Sequence, residues 1–226
     1  MLKATFHGHS CVSATDGEYN IIIDPFITGN PQAEMKADDV KVNFVLVTHG
    51  HSDHLGDAVS IAIRNKATII APNELAVYVS KQGAEAHNMH IGGAFNFPFG
   101  RVKLTIAHHG SAAGDGLDYT GNPCGFLITM GGKLMYHAGD TGLFYDMKLI
   151  GDMNKIDLAF LPIGDNFTMG VDDAVKAVEF LHPKKVVPIH YKTWQVIDSE
   201  PTEFAKKLKG SGTEVVIIKP GESVEA

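Results

Sequence analysis

Cysteine is scarce in this 226-residue sequence, which contains only Cys11 and Cys124. Both sit among apolar neighbours, where a small buried thiol is the expected role and neither a disulfide framework nor a catalytic thiolate is called for. Long hydrophobic runs are missing too. No apolar stretch approaches the ~18 residues that span a bilayer, and Met1-Leu2-Lys3-Ala4-Thr5-Phe6 passes into strand-like sequence without the charged head and apolar stretch of a secretory signal. A cytoplasmic location with no membrane partner is the expectation. Positive charge is in deficit: 19 Lys and Arg against 26 Asp and Glu leave a formal net charge of -7, and no basic arm offsets it. That balance disfavours nucleic acid as a partner. Linkers, low-complexity tracts and short-period repeats are also absent. With 44% hydrophobic and 20% charged residues, the chain reads as one globular domain over residues 1–226.

Histidine, by contrast, is abundant. Twelve are present, and imidazole is both the commonest metal ligand and the usual proton carrier near neutral pH. Their placement depends on the elements around them. Lys3 to Phe6, Ser10 to Ala14 and Tyr19 to Ile23 read as antiparallel strands, with a turn at Asp16-Gly17. Asn43 to Thr48 is a buried-strand pattern, Leu55 to Arg64 has helical spacing, Ala67 to Ile70 is a strand, and Glu74 to Gln82 is a helix capped by Asn73. His90 to Ile106 and Gly125 to Tyr136 return to strands broken by glycine turns. Then come a helix at Leu143 to Ile150, the strand Leu158 to Ile163, a helix at Asp172 to Leu181 and the strand Val186 to Ile189. A helix begins at Pro201 and stops near Gly210, and the strand Glu214 to Ile218 closes the pattern. Two β-meanders, each followed by β/α units, predict two mixed sheets packed face to face with helices on the outer faces.

Between a buried strand and a helix lies Thr48-His49-Gly50-His51-Ser52-Asp53-His54, four candidate ligands within six residues. Positions two apart in an extended segment share a face, so His49 and His51 can converge on one cation. Asp53 and His54 follow as the chain turns into the helix and can face a second. Gly50 keeps the loop compact.

The HxHxDH pattern after an apolar strand resembles the signature of the metallo-β-lactamase superfamily. That family's third histidine resembles His109 in Ala107-His108-His109-Gly110, its bridging aspartate Asp140 in His137-Ala138-Gly139-Asp140-Thr141, and its last histidine His190 in Pro188-Ile189-His190-Tyr191. The resemblance implies an α/β fold of the αββα sandwich type. It also implies two divalent metal ions, one held by His49, His51 and His109, the other by Asp53, His54 and His190, with Asp140 shared. Such a nitrogen-rich donor set suits Zn²⁺, and Mn²⁺, Ni²⁺ or Fe²⁺ are also accommodated. Gly8-His9-Ser10-Cys11, Ile23-Asp24-Pro25-Phe26 and Tyr136 to Thr141 are similar to a subgroup of metal-dependent hydrolases related to ascorbate-phosphate lactonase.

Residues beside the ligands carry expectations of their own. Asp24, at a strand end, is a candidate to accept the second ring N–H of a ligand histidine, or else a turn former before Pro25. His9 is expected behind the metals or facing substrate. His137, Asn30, Asn166, Phe167, Thr168 and Tyr191 lie in segments adjoining the ligands and are candidates to line the site. Lys192 is either a partner for a substrate anion or an exposed lysine. His7 reads as solvated, His108 as pointing away from His109, and His87, His90 and His182 as surface residues.

The expected activity is metal-dependent hydrolysis of a small ester, lactone or amide by water or hydroxide shared between the ions, with Asp53 and Asp140 as catalytic carboxylates. A phosphodiesterase acting on nucleotide, RNA or phospholipid is the alternative, and a non-catalytic metal-dependent sensor a third reading. The partner is a small molecule, and self-association into a homo-oligomer is compatible with the sequence.

Overall fold

A computed structural model of the chain describes residues 1–115 and 118–226. The strands β1 (Lys3–Phe6), β2 (Val12–Thr15) and β3 (Asn20–Ile23) form an antiparallel meander. The chain then changes mode. β4 (Phe44–Leu46), β5 (Thr68–Pro72) and β6 (Ala86–Met89) add in parallel beyond β3, with α1 (Ser52–Leu55), α2 (Ala58–Asn65) and α3 (Asn73–Ser80) in the crossovers.

The second half repeats the scheme. β7 (Ala94–Phe97) and β8 (Gly100–Ile106) pair antiparallel, and a two-stranded ribbon of β9 (Ala112–Ala113) and β10 (Asp118–Tyr119) follows. β11 (Cys124–Met130) and β12 (Lys133–His137) continue the antiparallel part. β13 (Leu158–Pro162), β14 (Lys185–Ile189) and β15 (Glu214–Val215) then add in parallel, with α4 (Met147–Met153), α5 (Val171–Leu181) and α6 (Pro201–Lys207) between them. β16 (Ser223–Glu225) crosses back to pair with β1. Two seven-stranded sheets result, ordered β16-β1-β2-β3-β4-β5-β6 and β15-β14-β13-β12-β11-β8-β7.

The period-2 alternation of strand side chains divides the interior into three apolar layers. Ile21, Ile23, Leu46 and Ile70 of the first sheet meet Phe126, Ile128, Phe160 and Val187 of the second. Their neighbours Ile22, Val45, Ile69 and Ala71 point the other way, onto Ile61 and Ala62 of α2 and Leu75, Ala76 and Val79 of α3. On the far side, Ala159, Leu161 and Val186 meet Ala174, Ala177, Val178 and Leu181 of α5 and Phe204 of α6. Strands covered on both faces have no polar side, which is why Asn43 to Thr48 looks continuously apolar in the sequence. The predicted αββα sandwich is the fold observed.

Several boundaries differ from expectation. β6 and β16 were not anticipated: His87 and Asn88 on one, Ser223 and Glu225 on the other, give short edge strands a polar composition. The expected strand at Glu214 to Ile218 pairs only as far as Val215, and the helix expected from Leu143 begins at Met147, with Phe144 packed into the outer core ahead of it. The helix expected at Leu55 to Arg64 is broken in two at Gly56 (φ 40°, ψ -121°). A Cβ there would lie 2.5 Å from the Pro25 carbonyl oxygen and 2.7 Å from the Phe26 Cα, so only glycine lets the ligand-bearing turn close on the loop after β3. Gly50 is similarly confined, since its Cβ would come 2.3 Å from Thr120 Oγ1 and 3.0 Å from the Ala112 carbonyl oxygen. Among the described residues, no helix is long and apolar enough to cross a membrane.

Gly56→Ala should therefore lower stability by about 2 kcal/mol or more, combining an unfavourable backbone conformation with overpacking against fixed backbone. Urea denaturation of the variant checks this. An unchanged midpoint and slope would show that the Pro25-Phe26 loop yields freely.

Candidate metal centre

Asp24 follows β3, the His49-to-His54 segment follows β4, His109 follows β8, Asp140 follows β12 and His190 follows β14. All five segments leave the C-terminal ends of strands running the same way within their sheet. They lie around the positions where antiparallel pairing gives way to parallel, between β3 and β4 and between β12 and β13. Crevices at such ends are where open α/β sheets bind ligands. The seam between the sheets is pinned there: His190 N–H donates to the His9 carbonyl (2.7 Å), and Cys124 N–H to the Thr48 carbonyl (3.1 Å).

The structure brings all seven expected ligands together. His49, His51 and His109 offer nitrogens within 4.8 Å of one another, as do His49 and His54 with an Asp140 oxygen, and Asp53, His54 and His190 with His9. His49 Nε2 lies 3.0 Å from His51 Nδ1. Asp140 Oδ2 is 3.2 Å from His54 Nε2, 3.0 Å from His190 Nε2 and 3.6 Å from His109 Nε2, a central position for a shared carboxylate.

Hydrogen bonds fix which ring nitrogen faces inward. Asp24 is fully buried and accepts three of them: from Thr48 N–H at Oδ1 (2.8 Å), and from Thr48 Oγ1–H (2.7 Å) and His54 Nδ1–H (2.8 Å) at Oδ2. Because the Thr48 hydroxyl donates to Asp24, its oxygen accepts from His49 Nδ1–H (2.9 Å). Both imidazoles therefore turn Nε2 toward the centre. His54 Nε2 is buried without a hydrogen-bond partner, its 3.2 Å approach to Asp140 Oδ2 lying outside hydrogen-bond geometry, and Asp140 Oδ1 is likewise unpartnered. Unpaired buried groups are costly. A ring nitrogen facing two carboxylates is stable only with positive charge between them, whether a proton on the ring or a cation coordinated by both sides.

The charge environment agrees. Burial works against a charge on His54, yet Asp140 and Asp24 beside it raise its pKa well above the ordinary value. Burial likewise opposes ionisation of Asp140, and the adjacent His190 and His54 override it, holding the carboxyl well below its usual range. For His49, burial dominates and lowers the pKa well below the usual value; it also lowers His51 and His109. Those three imidazoles are neutral, the form that ligates metal. Together, the orphaned nitrogen, the concentrated carboxylate charge and the neutral imidazoles fit metal cations.

The surrounding residues sort differently from expectation. Asp24 lies behind His54, with both of its oxygens engaged by Thr48 and the His54 ring. His9 is buried behind Asp53: its Nε2–H donates to Asp53 Oδ2 (3.1 Å), while Nδ1 accepts from Thr193 Oγ1–H (2.8 Å). Burial holds its pKa down to about 4, so the ring is neutral. Asp53 stays well below the usual carboxylate range because His9 and His54 outweigh its burial. His9, Asp24 and His190 all adopt positive φ (56°, 47° and 54°), at roughly 1 to 2 kcal/mol each. Such strain in non-glycine residues concentrates at functional sites.

Four of the expected lining residues are elsewhere. His137 bridges the sheets, donating Nε2–H to the Ser10 carbonyl (3.0 Å) and accepting Gly139 N–H at Nδ1 (3.2 Å), which leaves no nitrogen free for a ligand. Asn30 spends its amide inside its own loop, on the Phe26 carbonyl and Gln32 N–H. Tyr191 packs against the core under α5 and α6, and Asn166 is exposed, away from the cavity wall. His7, expected in solvent, is buried between Glu34 and Ser13. A cavity of about 440 Å³ opens over the ligand cluster, and Phe26, Phe167, Trp194 and Val196 complete its lining. Of these, Phe26, Trp194 and Val196 were not singled out from the sequence. The one usable signal was that the chain's single tryptophan falls four residues after His190.

Comparison with known proteins follows the same lines. The profile of the β-lactamase superfamily domain matches residues 19–191. A UPF0173 metal-dependent hydrolase of Bacillus licheniformis is 53% identical over 228 residues, covering 99% of both chains. One from Anoxybacillus flavithermus is 54% identical over 227 residues, covering 99% of this chain and 100% of its own. Among solved structures, a metallo hydrolase from the hyperthermophilic archaeon Ignicoccus hospitalis has a TM-score of 0.91 at 36% identity, covering 99% of this chain and 97% of that one.

Two outcomes follow from the geometry. Asp24→Asn should weaken cation binding by roughly 10- to 100-fold, because it disturbs the tautomers of both His49 and His54; competition with a chromophoric chelator measures it, and wild-type affinity would remove Asp24 from this role. Burial raises the pKa of both Cys11 and Cys124 far above the ordinary thiol value. The folded protein should accordingly react with no equivalent of Ellman's reagent, and the unfolded chain with two.

Proposed function

We propose, from the premise that the chain belongs to the β-lactamase superfamily and within it to the UPF0173 metal-dependent hydrolases, that it cleaves a small ester, lactone or amide at a centre of two divalent cations. His49, His51 and His109 would hold one cation, Asp53, His54 and His190 the other, and Asp140 both. The observation that carries this reading is the unpartnered pair of buried atoms, His54 Nε2 and Asp140 Oδ1, at the point where four imidazoles crowd one carboxylate.

When bound, the cations would lower the pKa of water from ~15.7 toward ~7 and polarise the scissile group. The protein's own side chains supply position and proton handling. Asp53 stands on the cavity wall with Oδ2 steadied by His9, so its carboxylate can accept a hydrogen bond from the attacking water and aim it. Water adds to the carbonyl carbon, the C–O or C–N bond breaks, and the proton ends on the departing oxygen or nitrogen. Asp140, held low by its histidine neighbours, remains a carboxylate throughout. No thiolate takes part, since both cysteines are buried and protonated.

Elemental analysis should find two cations per chain, zinc being the ion best matched to this donor set. A panel of nitrophenyl esters, lactones, anilides and bis-nitrophenyl phosphate, assayed with Zn²⁺ or Mn²⁺, should show carboxylic ester or lactone cleavage that a chelator abolishes and metal restores. Asp140→Ala should lose about one cation and at least a hundredfold in kcat/KM. A variant retaining both cations and full activity would overturn the assignment of Asp140, and preferential turnover of the phosphodiester would replace the substrate reading.

A further inference from the structure

The walls of the cavity differ sharply in character. The ligand residues form one side, and Phe26, Phe167, Trp194 and Val196 form the other. Three of these apolar side chains remain substantially in water, with Phe167 51%, Trp194 38% and Val196 60% exposed. The four wall residues come from three separate loops, after β3, β13 and β14, so their convergence is a property of the tertiary structure. Single exposed apolar residues need no explanation, but a cluster rimming a polar centre marks a binding surface.

The wall is also held in place. Thr193 Oγ1–H donates to His9 Nδ1 (2.8 Å), tying the loop after β14 to the ligand cluster. The Trp194 ring rests edge-on against His9 (4.9 Å between centroids) and tilted against Phe26 (6.2 Å). Its carbonyl accepts Ile197 N–H (3.0 Å), closing a turn of 3-10 helix over Gln195–Ile197 that carries Val196. Among the described residues, no lysine or arginine lines the cavity. Lys192, the lysine nearest in sequence, has its ammonium group paired with Glu200.

We infer that the site takes an uncharged substrate whose apolar half lies against Phe26 and Trp194, with Phe167 and Val196 closing the mouth. A phosphate or carboxylate carried on that half would lose water against aromatic and aliphatic surface with no cationic side chain on that wall to compensate it. The inference rests on the hydrolase reading for the reacting end and narrows its substrates to those without a distal charge.

Two measurements test it separately from the hydrolase reading. In the first, kcat/KM of the metal-loaded enzyme is compared for p-nitrophenyl valerate and p-nitrophenyl hemisuccinate, which share a reacting end and differ in a distal carboxylate. After subtraction of the rate without enzyme, which for the hemisuccinate includes attack of its own carboxylate to give succinic anhydride, water adds to the acyl carbon of each and the C–O bond to nitrophenolate breaks. The valerate should be favoured at least tenfold, the scale on which apolar pockets discriminate, and Phe167→Ser with Val196→Ser should reduce that preference while metal content stays at the wild-type value. Equal or better turnover of the hemisuccinate would overturn the inference and leave the hydrolase reading intact. In the second, benzamide is titrated against the emission of Trp194, the only tryptophan in the chain. A saturable change, weakened in the double variant, supports the apolar subsite even if no ester is cleaved, an outcome that would instead sink the hydrolase reading. Emission unmoved by benzamide at millimolar concentration would overturn the subsite.

Discussion

The carboxylate of Asp24 organises the centre without facing the cavity. It has no contact with solvent, and its two oxygens take up the Thr48 backbone N–H, the Thr48 hydroxyl and the His54 ring. Through the Thr48 hydroxyl it also sets the ring of His49. One buried side chain thus decides which nitrogen two histidines present, one from each proposed ligand set. Removing it would strand two donors and a hydroxyl in the interior, where each unpaired group costs roughly 1 to 3 kcal/mol. The positive φ of Asp24 and the glycine at position 56 follow from the same requirement, since the loop after β3 must turn sharply under the ligand-bearing turn.

Electrostatics then dictate what the centre can hold. Neutral imidazoles come cheaply in a buried place, and His49, His51 and His109 are of that kind. Carboxylates do not, and Asp140 persists only because His54 and His190 crowd it. The cluster as built is short of positive charge, and it concentrates that shortage at one point.

Much of this was legible in the sequence because it is local. His49 to His54 lie in one segment, and the alternation of Ile21, Ile22 and Ile23 between two apolar layers follows from strand geometry. His109, Asp140 and His190 were reachable through their motifs, each placed just beyond a strand. What escaped is non-local. Nothing near His137 announces that its ring would span to the Ser10 carbonyl, nor near His7 that Glu34 and Ser13 would enclose it. The apolar wall was hidden for the same reason, since Phe26 and Trp194 are 168 positions apart and meet only when the loops fold together. The short edge strands β6 and β16 were missed because polar edges look like loops.

The seam between the sheets has an evolutionary reading. His190 to His9, Cys124 to Thr48 and His137 to Ser10 are all bonds between the two halves of the molecule, and each uses at least one backbone atom. Neither half contains all of the proposed ligands, so the candidate centre belongs to the junction. Helices on the outer faces can drift in sequence without retuning it, as long as their apolar stripes still cover the sheets. The loops that meet at the junction have no such freedom, except along the apolar wall, where substitutions reshape the cavity while the proposed cation-binding core stays as it is. A lineage of such proteins could therefore exchange one client molecule for another through a few loop positions.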